Sequence, residues 1–506
     1  MRLYLIAFFV LLFLRVNGQP SLMWNVGNGS TPINLRLTSA GDVLVVTTQG
    51  ILLYSGANGQ LLRQDFNFST ADAVVDDAGS VYITGNVDTL GSSAPYIRKV
   101  DSVFQQQWMT VFFPAGTNQF TASNILLSNG NAYIAGAFSD SILLATGCYS
   151  ASVDILGTIR WSYGFVSSPV NQDYVLFRMD QLGQPVIGSN VDHLDSSSGE
   201  MSFRTIDQNG SFLHESVFDP ISARDILTDI EFGPGNLYYL TGSYNLTNAI
   251  GNSVSVFGVF DSNGLLTNFN GYDGYYYDEG QQLFADSLIG VYAIVTGTDV
   301  LGTTNSHFDV LRLSDVGAIT WQQRHQQGLP VFEYANDLAI TPCKDVQVCG
   351  RYRNTVMLHD DGIVVRYDST GTMQWEIYYR QPGSDVEFTK LAIVDDYTCY
   401  ALGTSTDSLG NIQLILVKYN QNTTEIPTIG SSSNARIYPN PTHDRLYIKC
   451  DGFVTKATVM DAYGRNSLVI TDEVIRSIDV STLEPGSYYM KIESSNGFII
   501  RRFLKD

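Results

Sequence analysis

The sequence predicts an all-β protein: a β-propeller of eight four-stranded blades, followed by a small Ig-like β-sandwich. Two periodic features predict the propeller. Strand-like segments that end in glycine recur 51 to 55 residues apart, at Gly85, Gly136, Gly188, Gly242, Gly297, Gly350 and Gly403. Turn positions recur in phase with them, 52 to 54 residues apart, at Asp101, Asp154, Asp207, Asp261, Ser314, Asp368 and Asn420. A constant period near 50 residues indicates stacked copies of one supersecondary unit.

Each copy contains four short β segments. The copy around Gly350 reads YANDLAIT, DVQVCG, GIVVRYD and GTMQWEIYY. These segments are rich in β-branched and aromatic residues and are bounded by turn formers, which is typical of strands. Aspartate can open such a turn by bonding to the backbone two residues on, and glycine supplies its positive φ. Four antiparallel strands per repeat make one propeller blade.

Tryptophan stands seven residues after four of the turn positions. The four residues are Trp108, Trp161, Trp321 and Trp375. Two equivalent positions hold His214 and Asn268 instead. We expect the large apolar tryptophan rings to pack between neighbouring blades.

The blade count follows from the two ends of the repeat region. One irregular copy precedes Gly85, and the last copy stops after its third strand, at LILVKYNQNTT. The segment SLMWNVG, with Trp24 in the tryptophan position, reads as a lone fourth strand that would complete the last blade. Such closure removes exposed sheet edges. We therefore predict eight blades over residues 22–424, with seven as the alternative count.

Residues 1–18 are predicted to be a signal peptide. Arg2 precedes an apolar run, Leu3–Leu14, and cleavage is expected between Gly18 and Gln19. The run is too short to cross a bilayer. No transmembrane span is expected, and the chain should pass through the periplasm.

Composition argues against nucleic-acid partners, a disulfide scaffold and a zinc site. The formal net charge is −21, whereas nucleic-acid-binding proteins carry basic patches, so no nucleic acid is expected. Five cysteines are too few for a disulfide scaffold. Cys343 and Cys349 flank a tight turn and could form a disulfide. No CxxC pair is present, which disfavours a zinc site.

A polar segment, residues 425–434, marks a linker to a C-terminal domain over 435–506. That domain alternates strands with the turn sequences DAYGR, EPGS and SSNG, the pattern of a small antiparallel sandwich. Its candidate motif residues are Tyr438, Pro439, Asn440, Pro441, Gly464, Leu483, Gly486, Tyr488 and Lys505. The two prolines are expected to keep the chain extended before the first strand.

These motifs resemble the C-terminal sorting domain (type A) of the type IX secretion system of Bacteroidetes. The resemblance implies contact with the secretion machinery, export across the outer membrane and removal by a sortase. The protein would then be extracellular or at the outer-membrane surface. An ordinary Ig-like ancillary domain is the alternative.

The repeats resemble propeller families as well. The pattern YITG…KVD…W is similar to secreted propeller repeats of bacterial surface proteins, and RYDSTGTMQW is similar to the tryptophan-docking repeat of pyrroloquinoline-quinone propellers. Repeats of this kind specify a fold rather than a chemistry.

The sequence contains no recognisable catalytic motif. Patterns for zinc hydrolysis, a nucleophile elbow, a P-loop and a Rossmann fold are missing, so we predict no catalytic, cofactor-binding or metal-binding residues. Calcium is unsupported, because the acidic stretch His359–Gly371 does not match the EF-hand spacing. We interpret that stretch as two turns flanking a strand.

One segment, GYDGYYYDEG, is a candidate binding loop, since tyrosine offers a flat apolar ring and a polar tip. Its tyrosines are Tyr272, Tyr275, Tyr276 and Tyr277. Interblade packing is the alternative role. The leading hypothesis is a secreted, non-enzymatic scaffold that binds an unknown extracellular glycan or protein. The alternative is a propeller enzyme, either a quinoprotein-like oxidoreductase or a polysaccharide-cleaving enzyme.

Overall fold

The structure is a computed structural model. It describes residues 20–89, 92–112, 119–140, 145–165, 170–193, 199–219, 225–245, 253–274, 277–286, 290–298, 306–325, 331–354, 359–421, 436–449, 454–460, 466–471, 475–494 and 497–506. The predicted signal peptide, its cleavage site and the linker lie outside these residues. The chain divides into two compact units, one ending at Asn422 and the other beginning at Thr423.

The described residues of the first unit form 32 strands. The first half comprises β1 (Ser21–Asn28), β2 (Pro32–Leu37), β3 (Val43–Thr47), β4 (Gly50–Tyr54), β5 (Leu61–Asp65), β6 (Asp72–Val75), β7 (Val81–Thr89), β8 (Ser92–Val100), β9 (Gln106–Val111), β10 (Gln119–Ser128), β11 (Asn131–Asp140), β12 (Ala145–Val153), β13 (Ile159–Phe165), β14 (Val170–Met179), β15 (Pro185–His193) and β16 (Gly199–Ile206).

The second half comprises β17 (Phe212–Phe218), β18 (Asp225–Gly233), β19 (Leu237–Asn245), β20 (Ser253–Phe260), β21 (Leu266–Tyr272), β22 (Tyr277–Asp286), β23 (Gly290–Thr298), β24 (Ser306–Leu313), β25 (Ile319–His325), β26 (Val331–Ile340), β27 (Val346–Asn354), β28 (Asp360–Tyr367), β29 (Met373–Tyr379), β30 (Ser384–Ile393), β31 (Thr398–Asp407) and β32 (Ile412–Asn420). A single 3₁₀ turn, Pro234–Asn236, precedes β19.

The strands pair as antiparallel groups of four. β2–β5 form the first group, which we call blade 1, and each later set of four consecutive strands forms the next blade, up to β26–β29 in blade 7. Single parallel bridges, Ser253 to Tyr277 and Ser306 to Phe332, link blades 5, 6 and 7 into one continuous sheet. The prediction of an all-β propeller is confirmed by this pairing.

The last group contains both ends of the unit. β30, β31 and β32 pair in order, and β1 completes the sheet as its outermost strand. Ser21 pairs with Asn420, Asn28 with Leu414, and the backbone of Trp24 lies opposite Lys418. We call this sheet blade 8. β1 gives β32 a hydrogen-bonded neighbour on what would otherwise be an unpaired edge.

The cores of the first unit lie between consecutive blades. Eight clusters of buried apolar residues occupy the boundaries from blades 1 and 2 through to blades 8 and 1. At the closing boundary Leu402 and Leu416 of blade 8 pack with Val43 and Val45 of blade 1. Apolar packing and strand pairing therefore both close the ring.

Tryptophan docking repeats at these boundaries, as expected. The Trp108 indole Nε1 donates to the carbonyl oxygen of Ile155 at 2.9 Å, in the tight turn of the next blade. Its ring covers Gly157, where an added Cβ would lie 2.7 Å from the ring and φ is +84°. Only glycine combines that backbone conformation with such a close approach. Trp161 repeats the contact with the Gln208 carbonyl at 3.0 Å.

The two positions without tryptophan keep parts of this contact. The Asn268 side-chain amide donates to the carbonyl oxygen of Val316 at 2.8 Å. His214 packs against Gly264, where an added Cβ would lie 2.3 Å from the imidazole Nδ1. Polar side chains thus substitute for the indole at the boundaries that follow blades 4 and 5.

The first unit has two different faces. The turn face carries the tight turns that join the first strand of a blade to its second and the third to its fourth, such as 128–131 and 154–158. The crossover face is the opposite one, where the outermost strand of one blade ends and the innermost strand of the next begins, as at Tyr379 and Ser384.

The second unit is a β-sandwich. Its strands are β33 (Arg436–Tyr438), β34 (Arg445–Lys449), β35 (Val454–Met460), β36 (Asn466–Thr471), β37 (Ser477–Asp479), β38 (Gly486–Ser494) and β39 (Gly497–Lys505). They form a three-stranded sheet, β33-β34-β37, and a four-stranded sheet, β36-β35-β38-β39. Leu446, Ile478, Val459 and Met490 of the two sheets share one apolar core.

Two expectations need correction. Pro439 and Pro441 follow the first strand of the sandwich rather than precede it. Tyr438, the last residue of β33, already pairs with Tyr447 of β34. Cys343 and Cys349 are not bonded to each other. Cys349 points into the core between blades 7 and 8, whereas Cys343 lies in a turn with its sulfur 3.2 Å from Arg366.

Candidate functional site

Acidic and aromatic side chains converge at the crossover face of blades 6, 7 and 8. Glu279 in β22, Tyr334 in β26, and Asp385 and Glu387 in β30 are half-buried and lie in the first residues of their strands. Innermost strands line the central channel of a propeller. These side chains therefore lie at one mouth of that channel.

Blades 7 and 8 join some of these groups through hydrogen bonds. The Asn336 side-chain amide donates to Glu387 Oε1 and to the carbonyl oxygen of Phe388, both at 2.9 Å. The Arg351 guanidinium lies 4.4 Å from the centre of the Tyr334 ring. It also lies 4.0 Å from Glu387. An arginine held over an aromatic face gains a cation–π attraction, which fixes its position.

Asp360 connects the two blades further. Arg353 donates to both its oxygens, at 2.5 and 2.9 Å, and this hydrogen bonding raises the pKa of the Arg353 guanidinium. The backbone N–H of Asp360 donates to Asp385 Oδ1 at 2.8 Å, and His359 Nδ1 lies 3.3 Å from the same oxygen. We call Tyr334, Asn336, Arg351, Arg353, Asp360, Asp385 and Glu387 the mouth network.

The mouth network suits recognition more than stability. Half-exposed ion pairs contribute about 0–1 kcal/mol each, because water screens them. Their partners do hold each carboxylate and guanidinium in one position, so little order is lost on binding. Carboxylates accept hydrogen bonds and guanidinium groups donate them. The surface therefore offers fixed donors and acceptors to a polar ligand.

The tyrosines of the predicted binding loop lie in different environments. Tyr272 is buried between blades 5 and 6 and donates to Asp309 Oδ2 at 2.5 Å. Burial, then this hydrogen bond, raises the pKa of its hydroxyl well above the usual range. Tyr277 is 38% exposed and opens β22 beside Glu279. Tyr275 and Tyr276 lie outside the described residues, so their role in a binding loop stays a prediction.

A buried ionic triad lies behind the mouth. His325 Nδ1 is 3.0 Å from Glu333 Oε2, and His325 Nε2 is 3.0 Å from Glu376 Oε2. Burial lowers the pKa of this imidazole, but the hydrogen bonds with Glu333 and Glu376 outweigh it and raise the pKa to about 9. No sequence pattern predicts the triad, because its members come from β25, β26 and β29.

Glu333 belongs to a series of buried acids. Asp225, Asp278 and Glu333 each lie two residues before the bulge of an innermost strand, in blades 5, 6 and 7. All three are at least 95% buried. Burial, then the negative charges of Asp219 and Glu200, raises the pKa of Asp225 to about 7. Burial therefore disfavours the ionised form of Asp225 on the crossover face.

The acidic stretch at His359–Gly371 forms β28 and the turn after it. Asp361 accepts from Arg380, whose Nε lies 2.9 Å from its Oδ1, and Asp360 pairs with Arg353. Both acids therefore have arginine partners. Within the part of the chain that the structure describes, no three His, Cys, Asp or Glu side chains are arranged to hold a metal ion.

In the sandwich the first and last parts of the predicted sorting motif lie together. The backbone N–H of Leu504 donates to Asn440 Oδ1 at 2.9 Å, and the Asn440 amide donates to the Arg502 carbonyl at 3.2 Å. Lys505 forms a bridge with Thr442. Tyr438 is 49% exposed. These contacts build one surface from residues more than 60 positions apart.

The middle of that motif is structural. Leu483 packs against the sandwich core. Tyr488 stacks on Phe503 at 5.7 Å and donates to the Glu484 carbonyl at 2.9 Å. Gly486 opens β38. Gly464 lies outside the described residues.

Comparison with protein families identifies the second unit. Residues 436–506 match the family model of the secretion system C-terminal sorting domain. No curated protein matches the chain. Among the described residues, no helix is long and apolar enough to span a membrane.

Several solved structures are similar in part. PorZ, an essential bacterial surface component of the type IX secretion system of Porphyromonas gingivalis, is 10% identical, with 94% of this chain and 82% of that chain covered and a TM-score of 0.27. The WD40 domain of SCAP from fission yeast is 8% identical, with coverage of 79% and 98% and a TM-score of 0.41. The β-propeller domain of the trilobed protease from Pyrococcus furiosus is 8% identical, with coverage of 63% and 100% and a TM-score of 0.34.

The sorting domain marks this chain as a protein exported by the type IX system to the cell surface or the extracellular space. The propeller assignment rests on the strand pairing and the interblade cores described above.

Proposed function

We propose that this protein is a non-enzymatic binding scaffold outside the cell, whose propeller recognises an extracellular glycan or protein at the channel mouth of blades 7 and 8. The mouth network carries the proposal, because it presents fixed charged and aromatic groups on the innermost strands β26 and β30 and on the neighbouring strands β27 and β28. Propeller channels are concave, as binding sites usually are.

The second unit fits the same role. A sorting domain that contacts the secretion machinery would deliver the propeller to the outside, and a sortase would then remove the domain. The surface formed by Asn440, Arg502 and Leu504 is the part of the sandwich that joins both ends of the motif. Its exposed Tyr438 gives the machinery an aromatic contact.

A propeller enzyme that cleaves a polysaccharide is the second candidate. One observation favours it: Glu279 is half-buried at the mouth next to Tyr277, and burial raises the pKa of its carboxyl. A raised carboxyl pKa makes the group better suited to donate a proton as a general acid.

Binding to a printed glycan array tests the proposal. The full mature chain should bind a defined set of glycans, and the double variant Asp385→Asn/Glu387→Gln should bind them at least about tenfold more weakly, since two charged acceptors are lost. Glu215→Gln is the matched control, because Glu215 pairs with Arg204 at 2.7 Å on an outermost strand.

Three outcomes separate the candidates. Weak binding by the double variant and normal binding by Glu215→Gln would support the mouth. Equal binding by all three proteins would exclude the mouth as the recognition surface. Shortened glycans that appear with the parent protein and disappear with Glu279→Gln would favour the enzyme.

A further inference from the structure

A second concave site lies on the turn face, away from the channel mouth of blades 7 and 8. A cleft of about 520 Å³ opens between blades 2 and 3. Its walls are the tight turn at 75–78, the tight turn at 128–131 and Ile155 of the next turn along blade 3. Clefts of 300–1,000 Å³ hold small organic ligands.

Tyr82 forms the floor of the cleft, and its hydroxyl differs from those of the equivalent tyrosines in blades 5 and 8. Tyr239 and Tyr400 occupy the same place in blades 5 and 8, three residues before the blade glycine. Tyr239 donates its hydroxyl to the Asp315 carbonyl at 2.9 Å, and Tyr400 donates to the Gly56 carbonyl at 3.1 Å. Each acceptor lies in the tight turn of the next blade.

Blade 2 uses the equivalent turn carbonyl differently. The equivalent turn carbonyl, that of Ile155, already accepts from the Trp108 indole at 2.9 Å. The Tyr82 ring is 95% buried, yet Tyr82 lines the cleft, and its hydroxyl has no hydrogen-bond partner among the described residues. A hydroxyl on a buried ring that opens to a cleft is a ready donor and acceptor for a ligand.

The cleft walls supply complementary groups. Lys99 Nζ lies 4.7 Å from the Tyr82 ring centre and 3.8 Å from Asp76 Oδ2. Asp77 and Asn129 stand exposed at the rim, whereas Leu127 and Ile155 add apolar surface. With two carboxylates and one ammonium group, the cleft disfavours an anion.

The neighbouring boundary shows that the cleft is local. Between blades 3 and 4, the turn at Gly183 packs against Ser128 and Asn129, with an added Cβ only 2.8 and 2.9 Å from their side-chain atoms. Gln208, in the other tight turn of blade 4, donates to the Leu182 carbonyl at 3.0 Å and accepts from Trp161 of blade 3 through its own carbonyl at 3.0 Å. At the boundary between blades 3 and 4, side chains therefore fill the space that stays open between blades 2 and 3.

We infer that this cleft binds one or two units of a neutral saccharide. Sugar hydroxyls both donate and accept, so they match a tyrosine hydroxyl, a carboxylate and a side-chain amide within one small volume. The C–H face of a sugar ring is apolar and can pack on Leu127 and Ile155. The site is separate from the mouth network and does not depend on it.

Calorimetric titration with maltose, cellobiose, lactose and chitobiose tests this inference on the full mature chain. At least one of the four should bind, and Tyr82→Phe should weaken that binding about fivefold to tenfold by removing one hydrogen bond. Ala78→Trp, an exposed change at the rim, should abolish it by filling the cleft.

Tyr133→Phe is the matched control. Tyr133 holds the equivalent place in blade 3, where its hydroxyl is buried without a partner, so this variant should bind the sugar like the parent protein. Melting temperatures of all variants show whether they are folded. The inference is wrong if none of the four sugars binds, or if Tyr82→Phe or Ala78→Trp binds as tightly as Tyr133→Phe.

Discussion

At the scale of single residues, the buried imidazole of His325 depends on its acidic partners. Glu333 is fully buried, and its Oε2 lies 3.0 Å from His325 Nδ1. Removing one member of a buried pair costs about 3–5 kcal/mol, since the other charge is left in a low-dielectric interior. The His325 triad should therefore make the stability of the propeller depend on pH.

The sign follows from the raised pKa of His325. An imidazole with a pKa of 6.5 when unfolded and about 9 when folded stabilises fully below pH 6.5, and this stabilisation is lost as pH rises through about 9. His325→Gln should lower the free energy of unfolding of the propeller by about 3 kcal/mol at pH 6, with a matching fall in melting temperature. Its effect should be smaller at pH 10. Calorimetric melting from pH 5 to 10 measures both.

His443→Gln, an exposed change in the second unit, is the control and should not alter the propeller transition. If His325→Gln lowers the melting temperature equally at pH 6 and pH 10, the triad does not carry a titrating charge.

At the scale of elements, an outer-strand side chain packs on a turn glycine of the next blade at four boundaries: Trp108 on Gly157, Trp161 on Gly210, His214 on Gly264 and Trp321 on Gly371. The contact needs two properties at once, a backbone with positive φ and no Cβ beneath the ring, which glycine alone combines. Gly210 has φ +88°, and an added Cβ would lie 2.6 Å from Cγ of Trp161. These turn glycines lie three residues after the periodic turn positions. The period of the turns and tryptophans in the sequence is therefore the period of these contacts.

Two glycine substitutions separate the cost of backbone strain from that of the clash. Gly410 has φ +82° with no atom within 4 Å of an added Cβ, so Gly410→Ala should cost about 1–2 kcal/mol from the backbone alone. Gly210→Ala should cost about 1–3 kcal/mol more, because the Trp161 ring must move. Denaturant unfolding gives both values, and equal losses would show that the indole contact contributes nothing.

At the scale of the whole molecule, ring closure depends on a strand from the far end of the chain. β1 pairs with β32 along seven residue pairs, and without it β32 would present an unpaired edge. Open, apolar sheet edges recruit other strands and aggregate. The closure therefore protects the protein as well as completing a sheet.

A chain that begins at Gly29, without β1, should melt at a lower temperature than the mature chain and should form oligomers in size-exclusion chromatography with light scattering. A chain that ends at residue 424 is the control, because the sandwich has its own core and its removal should leave the propeller transition in place. Equal melting and a monomeric state for the chain without β1 would contradict a closing role.

The sequence by itself determined the four-stranded repeat, the docking position of tryptophan, the closing role of the Trp24 segment and the sorting domain. The first three rest on spacing, which strand period and turn chemistry impose directly on the chain, whereas the sorting domain rests on motifs that resemble a known family. The tyrosine segment shows the limit, because Tyr272 and Tyr277 belong to the same run yet end in a core and at a channel mouth.

The tertiary structure alone decided which polar groups meet. The mouth network joins β26, β27, β28 and β30, and the triad joins three strands. Tyr239 donates to a turn carbonyl of the next blade, whereas at Tyr82 the donor to the equivalent carbonyl is Trp108. Such sites depend on distances between residues about 10 to 70 positions apart. No periodicity in the sequence encodes them, because one side chain's partner is set by how neighbouring blades pack.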